Sequence, residues 1–223
     1  MSPTSRGRYG WWHHHGPILA PVRTGILGGT FDPIHIAHLH TAECALHQLG
    51  LDRVLVIPAG DPWQKSGRWI SAGSHRLEMC RLAVGGVDGI EVDTREVERD
   101  GPTFTIDTLA TFPDDEEIFV VLGADSAAGF ESWHRWRDVL DRATIAIAPR
   151  PGSPRPEIDG AVDIEMGMLE ISGTGIRDRA RNGLPYRYLV TEPVYEYIRS
   201  HGLYKDAPDG DMVGDLNELE DSS

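Results

Sequence analysis

The chain has 223 residues, of which 40% are hydrophobic and 25% charged, an ordinary composition for one α/β domain or two smaller units. A formal net charge of −14 at pH 7 excludes the broad basic surface that nucleic-acid binding requires. No apolar run approaches the ~20 residues of a membrane-spanning helix. We therefore expect neither nucleic acid nor a membrane among the partners.

Both ends of the chain differ in composition from its body. Residues 1–21 are rich in Gly, Ser, Arg and His and lack the apolar core of a secretory signal, whereas residues 206–223 contain seven acids and no Lys or Arg. We expect both segments to be disordered, which leaves a domain at residues 22–205. Cys44 and Cys80 lie in apolar helical stretches, which predicts reduced packing residues in a cytoplasmic protein.

Strands and helices alternate along the body of the chain. Helical spacing of apolar residues predicts one helix from Pro33 to Leu49 and another from Pro193 to Gly202. The alternation predicts a Rossmann-like, doubly wound parallel sheet with helices on both faces and a short C-terminal helical part. Such sheets bind ligands at the carboxyl ends of their strands. Short apolar runs predict the buried strands Thr24–Leu27, Val54–Ile57, Ile90–Asp93, Ile118–Leu122 and Thr144–Ala148.

A Gly-Gly turn follows the first predicted strand and leads into the first predicted helix. Gly28 and Gly29 lack the Cβ atoms that would keep a phosphate from the backbone, and the helix beginning near Pro33 points its unpaired N–H groups at the same place. His35 and His38, three residues apart, are predicted to share one helix face there. Their imidazoles can donate hydrogen bonds to phosphate oxygens, which predicts a nucleotide phosphate site.

Two other interpretations of His35 and His38 stay open from the residues alone. They could be zinc ligands, although no HExxH pattern or Cys/His cluster completes such a site. They could also be two surface histidines without a ligand. The Gly-Gly turn favours the phosphate interpretation, and we predict no metal site on the protein.

The segment GGTFDPIHIAHL resembles the first signature of the nucleotidyltransferase superfamily that is marked by a paired His motif, and its Gly-Gly-Thr-Phe-Asp-Pro context is similar to the bacterial nicotinate mononucleotide adenylyltransferases. Ala37 departs from the Gly that usually precedes the second His. The resemblance implies that His35 and His38 contact the reacting phosphates and that Asp32 belongs to the mononucleotide site. It assigns to the ATP site Gly28, Gly29, Thr30 and Phe31.

The loop after the second predicted strand, Pro58-Ala-Gly-Asp-Pro-Trp-Gln-Lys65, brings one cation to the sheet edge. An ordinary solvated Lys is the alternative. The family has a Pro-rich loop here that usually ends in a basic residue, so the resemblance implies that Lys65 contacts phosphate.

Three further stretches resemble the family in the right order, so that the resemblance covers about residues 24–204. In the segment Gly101–Leu109 the residues alone indicate only a capped helix. The resemblance implies that Thr105 lies beside the pyridine carboxylate. In Gly123–Trp136 an acid ends a strand near an aromatic, which suits a nucleoside site. The resemblance implies that Asp125 positions ribose or mononucleotide and that Trp133 stacks on the pyridine, with core packing as the alternative for the tryptophan.

The third stretch, Ile171-Ser-Gly-Thr-Gly-Ile-Arg177, opens a helix with hydroxyls, N–H groups and one guanidinium. Arg177 is placed to reach a phosphate in a forked geometry, whereas Ser172 and Thr174 could be plain helix caps. The family's closing signature is Ile-Ser-Ser-Thr-x-Ile-Arg, with Gly173 here in place of its second Ser. It implies that Ser172 and Thr174 shape the ATP site and that Arg177, with Lys65, holds the leaving pyrophosphate.

The resemblance implies an adenylyltransferase that joins the AMP part of ATP to nicotinate mononucleotide in NAD biosynthesis, with Mg²⁺ bound through the ATP phosphates. Two alternatives remain: another acceptor, such as nicotinamide mononucleotide or phosphopantetheine, and a nucleotide sensor without turnover. A Ser-His-Asp hydrolase is disfavoured because no Gly-x-Ser-x-Gly elbow occurs. The sequence is compatible with a homo-oligomer.

Overall fold

The sheet lies at the centre of the molecule, in a computed structural model that describes residues 20–60 and 70–205. Its strands are all parallel and lie in the order β3-β2-β1-β4-β5-β6. From β1 the chain adds strands β2 and β3 on one side, and it then crosses over to add β4, β5 and β6 on the other side. The strand order therefore reverses between β1 and β4, which creates the crevice where such sheets bind ligands. The strands are β1 (Arg23–Gly29), β2 (Arg53–Pro58), β3 (Ile90–Val92), β4 (Glu117–Gly123), β5 (Thr144–Ala148) and β6 (Val162–Asp163).

Helices cover both faces of the sheet. They are α1 (Ile36–Gln48), α2 (Gly73–Val84), α3 (Thr105–Leu109), α4 (Ala124–Ala127), α5 (Trp136–Arg142), α6 (Gly173–Arg181) and α7 (Glu192–Ser200), with 3₁₀ turns at Phe130–Ser132 and Arg187–Leu189. Side chains of α1, α2, α6 and α7 pack in one hydrophobic core, and those of α3, α4 and α5 pack in the other.

Strand β4 shows why there are two cores. Ile118, Val120 and Leu122 lie in the core under α3–α5, whereas Phe119 and Val121 lie in the core under the other helices. Successive side chains of a strand point to opposite faces, so a strand buried on both faces is apolar at every position. The continuous apolar runs in the sequence reflect this double burial, and the predicted doubly wound architecture is confirmed.

The five predicted strands are present, with ends that differ by up to two residues. The prediction missed β6, which is only two residues long and pairs with β5 at the sheet edge. The predicted start of the first helix at Pro33 was wrong, since α1 begins at Ile36. Ile34 is completely buried and His35 has an extended backbone (φ −146°, ψ 171°), so the chain enters the core before it turns into the helix.

Some predictions concern residues outside the described ranges. They include Lys65, the predicted extension at residues 1–21 except for its last two residues, and the predicted acidic tail at 206–223. Within the described ranges no helix is both long and apolar enough to cross a membrane.

Candidate active site

A cavity of about 670 Å³ opens at the carboxyl ends of β1 and β4. The structure brings together at this cavity every site residue that the sequence predicted within the described ranges. The lining includes Gly28, Gly29, Thr30, Phe31, Asp32, His35, His38, Thr105, Asp125, Trp133, Ser172, Thr174 and Arg177. These residues come from four separate stretches of the chain, and a parallel sheet places the ends of its strands at one edge.

The glycine turn has the open surface that a phosphate needs. A Cβ atom built on Gly28 would meet no atom within 4 Å, so this backbone faces open space in the cavity. A Cβ atom on Gly29 would lie 3.0 Å from the ring of Phe31, which closes the turn on its other side. Phe31 itself has a left-handed backbone, φ 49°, which is uncommon for a residue with a side chain.

The two imidazoles lie face to face at the start of α1. The ring centroids of His35 and His38 are 3.7 Å apart with the planes inclined by 19°. The backbone N–H of His35 donates to Nδ1 of His38 over 3.3 Å. A nitrogen that accepts a hydrogen bond carries no proton, so the neutral ring of His38 carries its proton on Nε2. His38 is half-buried, and its ring also meets the edge of Phe31.

His35 has a different environment from its neighbour. Its side chain lies at the floor of the cavity with 2% of its surface exposed, and it is the N-cap residue of α1 instead of lying on the helix face as predicted. Burial, with a smaller effect of the nearby Arg150 charge, lowers the pKa of His35 from 6.5 to about 3. The ring is therefore neutral at physiological pH. Its Nδ1 atom is buried and has no hydrogen-bond partner among the described residues.

The side chain of Asp32 points into a buried network. Its Oδ2 accepts from the backbone N–H of Ser71 (3.1 Å) and its Oδ1 accepts from the hydroxyl of Tyr204 (2.8 Å). Both carboxylate oxygens thus have protein partners, and the contacts tie the glycine turn to the end of the C-terminal helical part. The carboxylate of Asp32 therefore positions the turn. Asp32 also lines the cavity, and its predicted place in the mononucleotide site stays a prediction.

Removing the hydroxyl of Tyr204 should destabilise the protein. Tyr204 is 2% exposed, and burial raises its pKa well above the usual value, so the hydroxyl stays protonated as a donor. Tyr204→Phe leaves Oδ1 of Asp32 without this donor and should lower the free energy of unfolding by about 1–3 kcal/mol. Urea unfolding measures the change. Tyr195→Phe is the matched control, because that hydroxyl has no hydrogen bond to a described residue; equal losses in both variants would contradict the role of the contact.

The start of α6 lines the cavity and lies against the glycine turn. Ser172 caps the helix, its Oγ accepting from the N–H of Gly175 over 3.1 Å. Nη1 of Arg177 donates to the backbone oxygen of Asp32 (2.7 Å), and Nη2 donates to Oγ1 of Thr174 (3.2 Å). A Cβ atom on Gly173 would lie 2.9 Å from the same Asp32 oxygen. The close approach explains why this chain has glycine at position 173.

An aromatic wall forms the other end of the cavity. Trp133 is half-buried, packing on Phe130 with ring centroids 5.4 Å apart while it lines the cavity. Phe104 precedes α3 and lies 4.6 Å from the ring of His134. Thr105 is the first residue of α3. This end therefore offers flat apolar surface beside a hydroxyl and backbone N–H groups.

Sequence reasoning missed two charged residues of the lining, Arg150 and Glu96. Arg150 follows β5; its Nη1 donates to the oxygen of Ile171 over 3.1 Å, and its Nε lies 3.5 Å from Oδ2 of Asp125. Glu96 lies near α3, where its Oε1 accepts from the hydroxyl of Thr108 over 2.7 Å. Burial raises the pKa of Glu96. The signal available for Arg150 was its position two residues after a predicted strand, whereas Glu96 lies in an irregular loop with no such signal.

In the described part of the chain, no group of three or more His, Cys, Asp or Glu side chains is placed to hold a metal ion. The lining carboxylates have protein partners: Asp32 bonds to Ser71 and Tyr204, and Asp125 lies beside Arg150. The site's features are thus a glycine turn, two imidazoles, two guanidiniums and an aromatic wall around one cavity.

The class of protein follows from this site and from comparison with known families. Residues 26–179 match the Cytidylyltransferase-like family. A Rossmann-like sheet with a glycine turn and paired imidazoles at its switch point fits that assignment, and the chain is a nucleotidyltransferase.

Curated relatives identify the family more narrowly. The chain is 36% identical over 201 residues to a probable nicotinate-nucleotide adenylyltransferase of Dehalococcoides mccartyi, covering 83% of this chain and 98% of the relative. It is 39% identical over 194 residues to one of Bordetella petrii, covering 82% and 99%. The chain belongs to the nicotinate-nucleotide adenylyltransferase family.

Solved structures show the same fold at lower identity. The nicotinic acid mononucleotide adenylyltransferase of Plasmodium falciparum, complexed with NaAD, has a TM-score of 0.71 and 19% identity, with 82% of this chain and 97% of that chain covered. The same enzyme complexed with APC has a TM-score of 0.69 and 18% identity.

Proposed function

We propose that this protein transfers AMP from ATP to nicotinate mononucleotide, producing nicotinate adenine dinucleotide and pyrophosphate in NAD biosynthesis. The observation that carries the proposal is the cavity described above, whose lining includes both the glycine turn with its two imidazoles and the aromatic wall with Trp133. Two nucleotides can therefore lie end to end with their phosphates near His38. The names of the family members support the choice of acceptor.

The reaction needs alignment and neutralisation of charge more than covalent chemistry. An oxygen of the mononucleotide 5′-phosphate forms a bond to the α-phosphorus of ATP, and the bond from that phosphorus to the bridging oxygen of the β-phosphate breaks in line. Pyrophosphate leaves with the electron pair. Phosphoryl transfers of this kind are accelerated mainly by positioning and electrostatic stabilisation, and no adenylyl-enzyme is required.

The proposed ATP site is formed by the glycine turn and α6. Nε2–H of His38 donates to an oxygen of the reacting phosphate, where negative charge grows as the bond breaks, and His35 supports it from the floor of the cavity as a neutral ring. Arg177, which bonds to both the turn and Thr174, holds the pyrophosphate. By resemblance Lys65 shares this task. The ATP site further includes Gly28, Gly29, Thr30, Phe31, Ser172 and Thr174.

The proposed mononucleotide site lies at the aromatic end. Trp133 supplies the flat surface on which a pyridine ring stacks. In this proposal Thr105 donates to the pyridine carboxylate, and Asp125 accepts hydrogen bonds from ribose hydroxyls. Trp133 packs against the core under α3–α5, as do Ile106 and Ala124, the neighbours of the other two residues. Phe31 and Ile34, beside the imidazoles, pack in the other core, and this separation supports the assignment.

Mg²⁺ is proposed to enter as part of the substrate, bound by the ATP phosphates, and to leave with pyrophosphate. This fits a site whose lining carboxylates already have protein partners. The two free cysteines, one buried and one half-buried, support a cytoplasmic location because such thiols persist in reducing compartments.

A comparison of acceptors tests the proposal directly. Purified protein is given MgATP with nicotinate mononucleotide, nicotinamide mononucleotide or phosphopantetheine, and both pyrophosphate and the adenylylated product are quantified. We expect kcat/KM for the nicotinate compound to exceed that for the amide by at least tenfold or so, because a site built for a carboxylate leaves its donors unpaired with an amide. ATP binding without release of pyrophosphate in the presence of any of these acceptors would instead indicate a nucleotide sensor.

A further inference from the structure

A buried arginine lies behind the glycine turn, outside the cavity. Arg76 is on α2, and only 2% of its surface is exposed. Its guanidinium donates to backbone oxygens in three segments: Nε to Ser71 (3.0 Å), Nη1 to Thr30 (2.9 Å) and Ala59 (2.6 Å), and Nη2 to Gly60 (2.9 Å). One side chain thus holds together the turn after β1 and the loop after β2.

Burying this charge has a cost that the contacts offset. Burial lowers the pKa of Arg76, and the neighbouring carboxylate of Asp32 opposes the effect. An unpaired buried cation would be strongly destabilising, so the four carbonyl acceptors and the carboxylate are what make this position possible. Their arrangement constrains the backbone of each segment that supplies a carbonyl.

The contact with Thr30 determines where the next N–H group points. The peptide unit between Thr30 and Phe31 is planar, and its C=O and N–H point in opposite directions. Because Arg76 draws the carbonyl of Thr30 into the interior, the N–H of Phe31 is directed to the other side, where both residues line the cavity.

The N–H of Phe31 has no hydrogen-bond acceptor among residues 20–60 and 70–205, although Phe31 is only 3% exposed. Buried N–H groups are nearly always paired, so an unpaired one at a cavity wall indicates a place for an anionic ligand. The left-handed backbone of Phe31, φ 49°, is unfavourable for a residue with a side chain and needs support from neighbouring contacts. Arg76 supplies that support from behind.

We propose that Arg76 is a positioning residue that orients the N–H of Phe31 as a hydrogen-bond donor for a phosphate oxygen of ATP and of the leaving pyrophosphate. It does so without touching the substrate. The inference rests on the proposed function only in taking the ligand of the turn to be the polyphosphate.

The test uses Arg76→Lys, which keeps the charge but has only three donors on a differently shaped head group. We expect the KM for ATP and the Kd for pyrophosphate to rise by about tenfold or more, the usual effect of losing one hydrogen bond to a charged group. The KM for nicotinate mononucleotide should change by less than about twofold in the folded variant. Cys80→Ala, a completely buried site on the same helix, is the control for a purely structural effect and should alter neither value selectively.

A second measurement uses the wild-type chain, in case Arg76→Lys does not fold. With ¹⁵N-labelled phenylalanine, the assigned amide signal of Phe31 should move when pyrophosphate is added and stay in place with nicotinate mononucleotide. An unmoved signal, an unchanged KM for ATP in folded Arg76→Lys, or equal changes for both substrates would overturn the inference. If no acceptor gave turnover in the wild type, the proposed function would fail while pyrophosphate binding still tested Arg76.

Discussion

The variant His38→Ala should lower kcat by about two to three orders of magnitude. The ring of His38 is half-exposed at the cavity, and the hydrogen bond from the backbone of His35 sets its Nε2 as the protonated nitrogen. A preorganised donor of this kind stabilises charge that develops only in the transition state, so its loss mainly affects kcat. Pyrophosphate release at saturating ATP and mononucleotide measures the effect.

The control for this variant is on the same helix. His40 is half-buried two residues later, beside Cys44 and Glu43, and does not line the cavity. His40→Ala should retain most of the wild-type kcat, with helical content confirmed by circular dichroism for both proteins. A folded His38→Ala enzyme with near-normal kcat would exclude the proposed role of the ring.

The variant Arg177→Met should lower kcat/KM for ATP by about 100-fold. The guanidinium carries the permanent charge that α6 directs at the proposed pyrophosphate, and hydrogen bonds between charged groups contribute about 1.5–3 kcal/mol each. The loss also removes the contact with the backbone oxygen of Asp32, so the glycine turn loses one of its supports. Initial rates at varied ATP measure the effect, and Arg177→Lys should recover only part of the activity because it lacks the forked geometry.

Arg179 offers a matched control for Arg177. It lies two residues further along α6, is exposed, and donates to the oxygen of Pro185 away from the cavity. Arg179→Met removes the same charge from the same helix and should change kcat/KM for ATP by less than about twofold, as expected for a surface charge. Similar losses in the two variants would indicate that α6 contributes only a general positive potential.

Much of the fold could be predicted because its strands are buried on both faces. Double burial makes a strand apolar at every position, as in Ile118–Leu122, and such runs stand out from amphipathic helices such as α7. Strand β6 lacked this signal, since two residues at a sheet edge do not form a pattern. The start of α1 was misplaced because the packing of Ile34 in the core, which the local sequence does not show, keeps the chain extended to His35.

The candidate site also has parts that could be predicted from the sequence and parts that could not. Glycines, imidazoles and an arginine immediately after predicted strands or at helix starts could be assigned from their chemistry, and the structure does bring them to one cavity. The direction of a buried carboxylate could not be assigned. The partners of Asp32 are Ser71 and Tyr204, 39 and 172 residues away, and nothing near Asp32 in the sequence indicates them.

The amino-acid sequence by itself determined the five buried strands and their alternation with helices, the glycine turn and the identity of the groups able to contact phosphates, because these depend on local periodicity and residue chemistry. Only the tertiary structure decided which of these groups face the cavity and which support it from behind. His35 is a neutral ring at the floor of the cavity, the carboxylate of Asp32 accepts a hydrogen bond from Tyr204, and Arg76 donates to the backbone of the turn. Burial and long-range contacts set these roles, and both arise only when distant segments pack together.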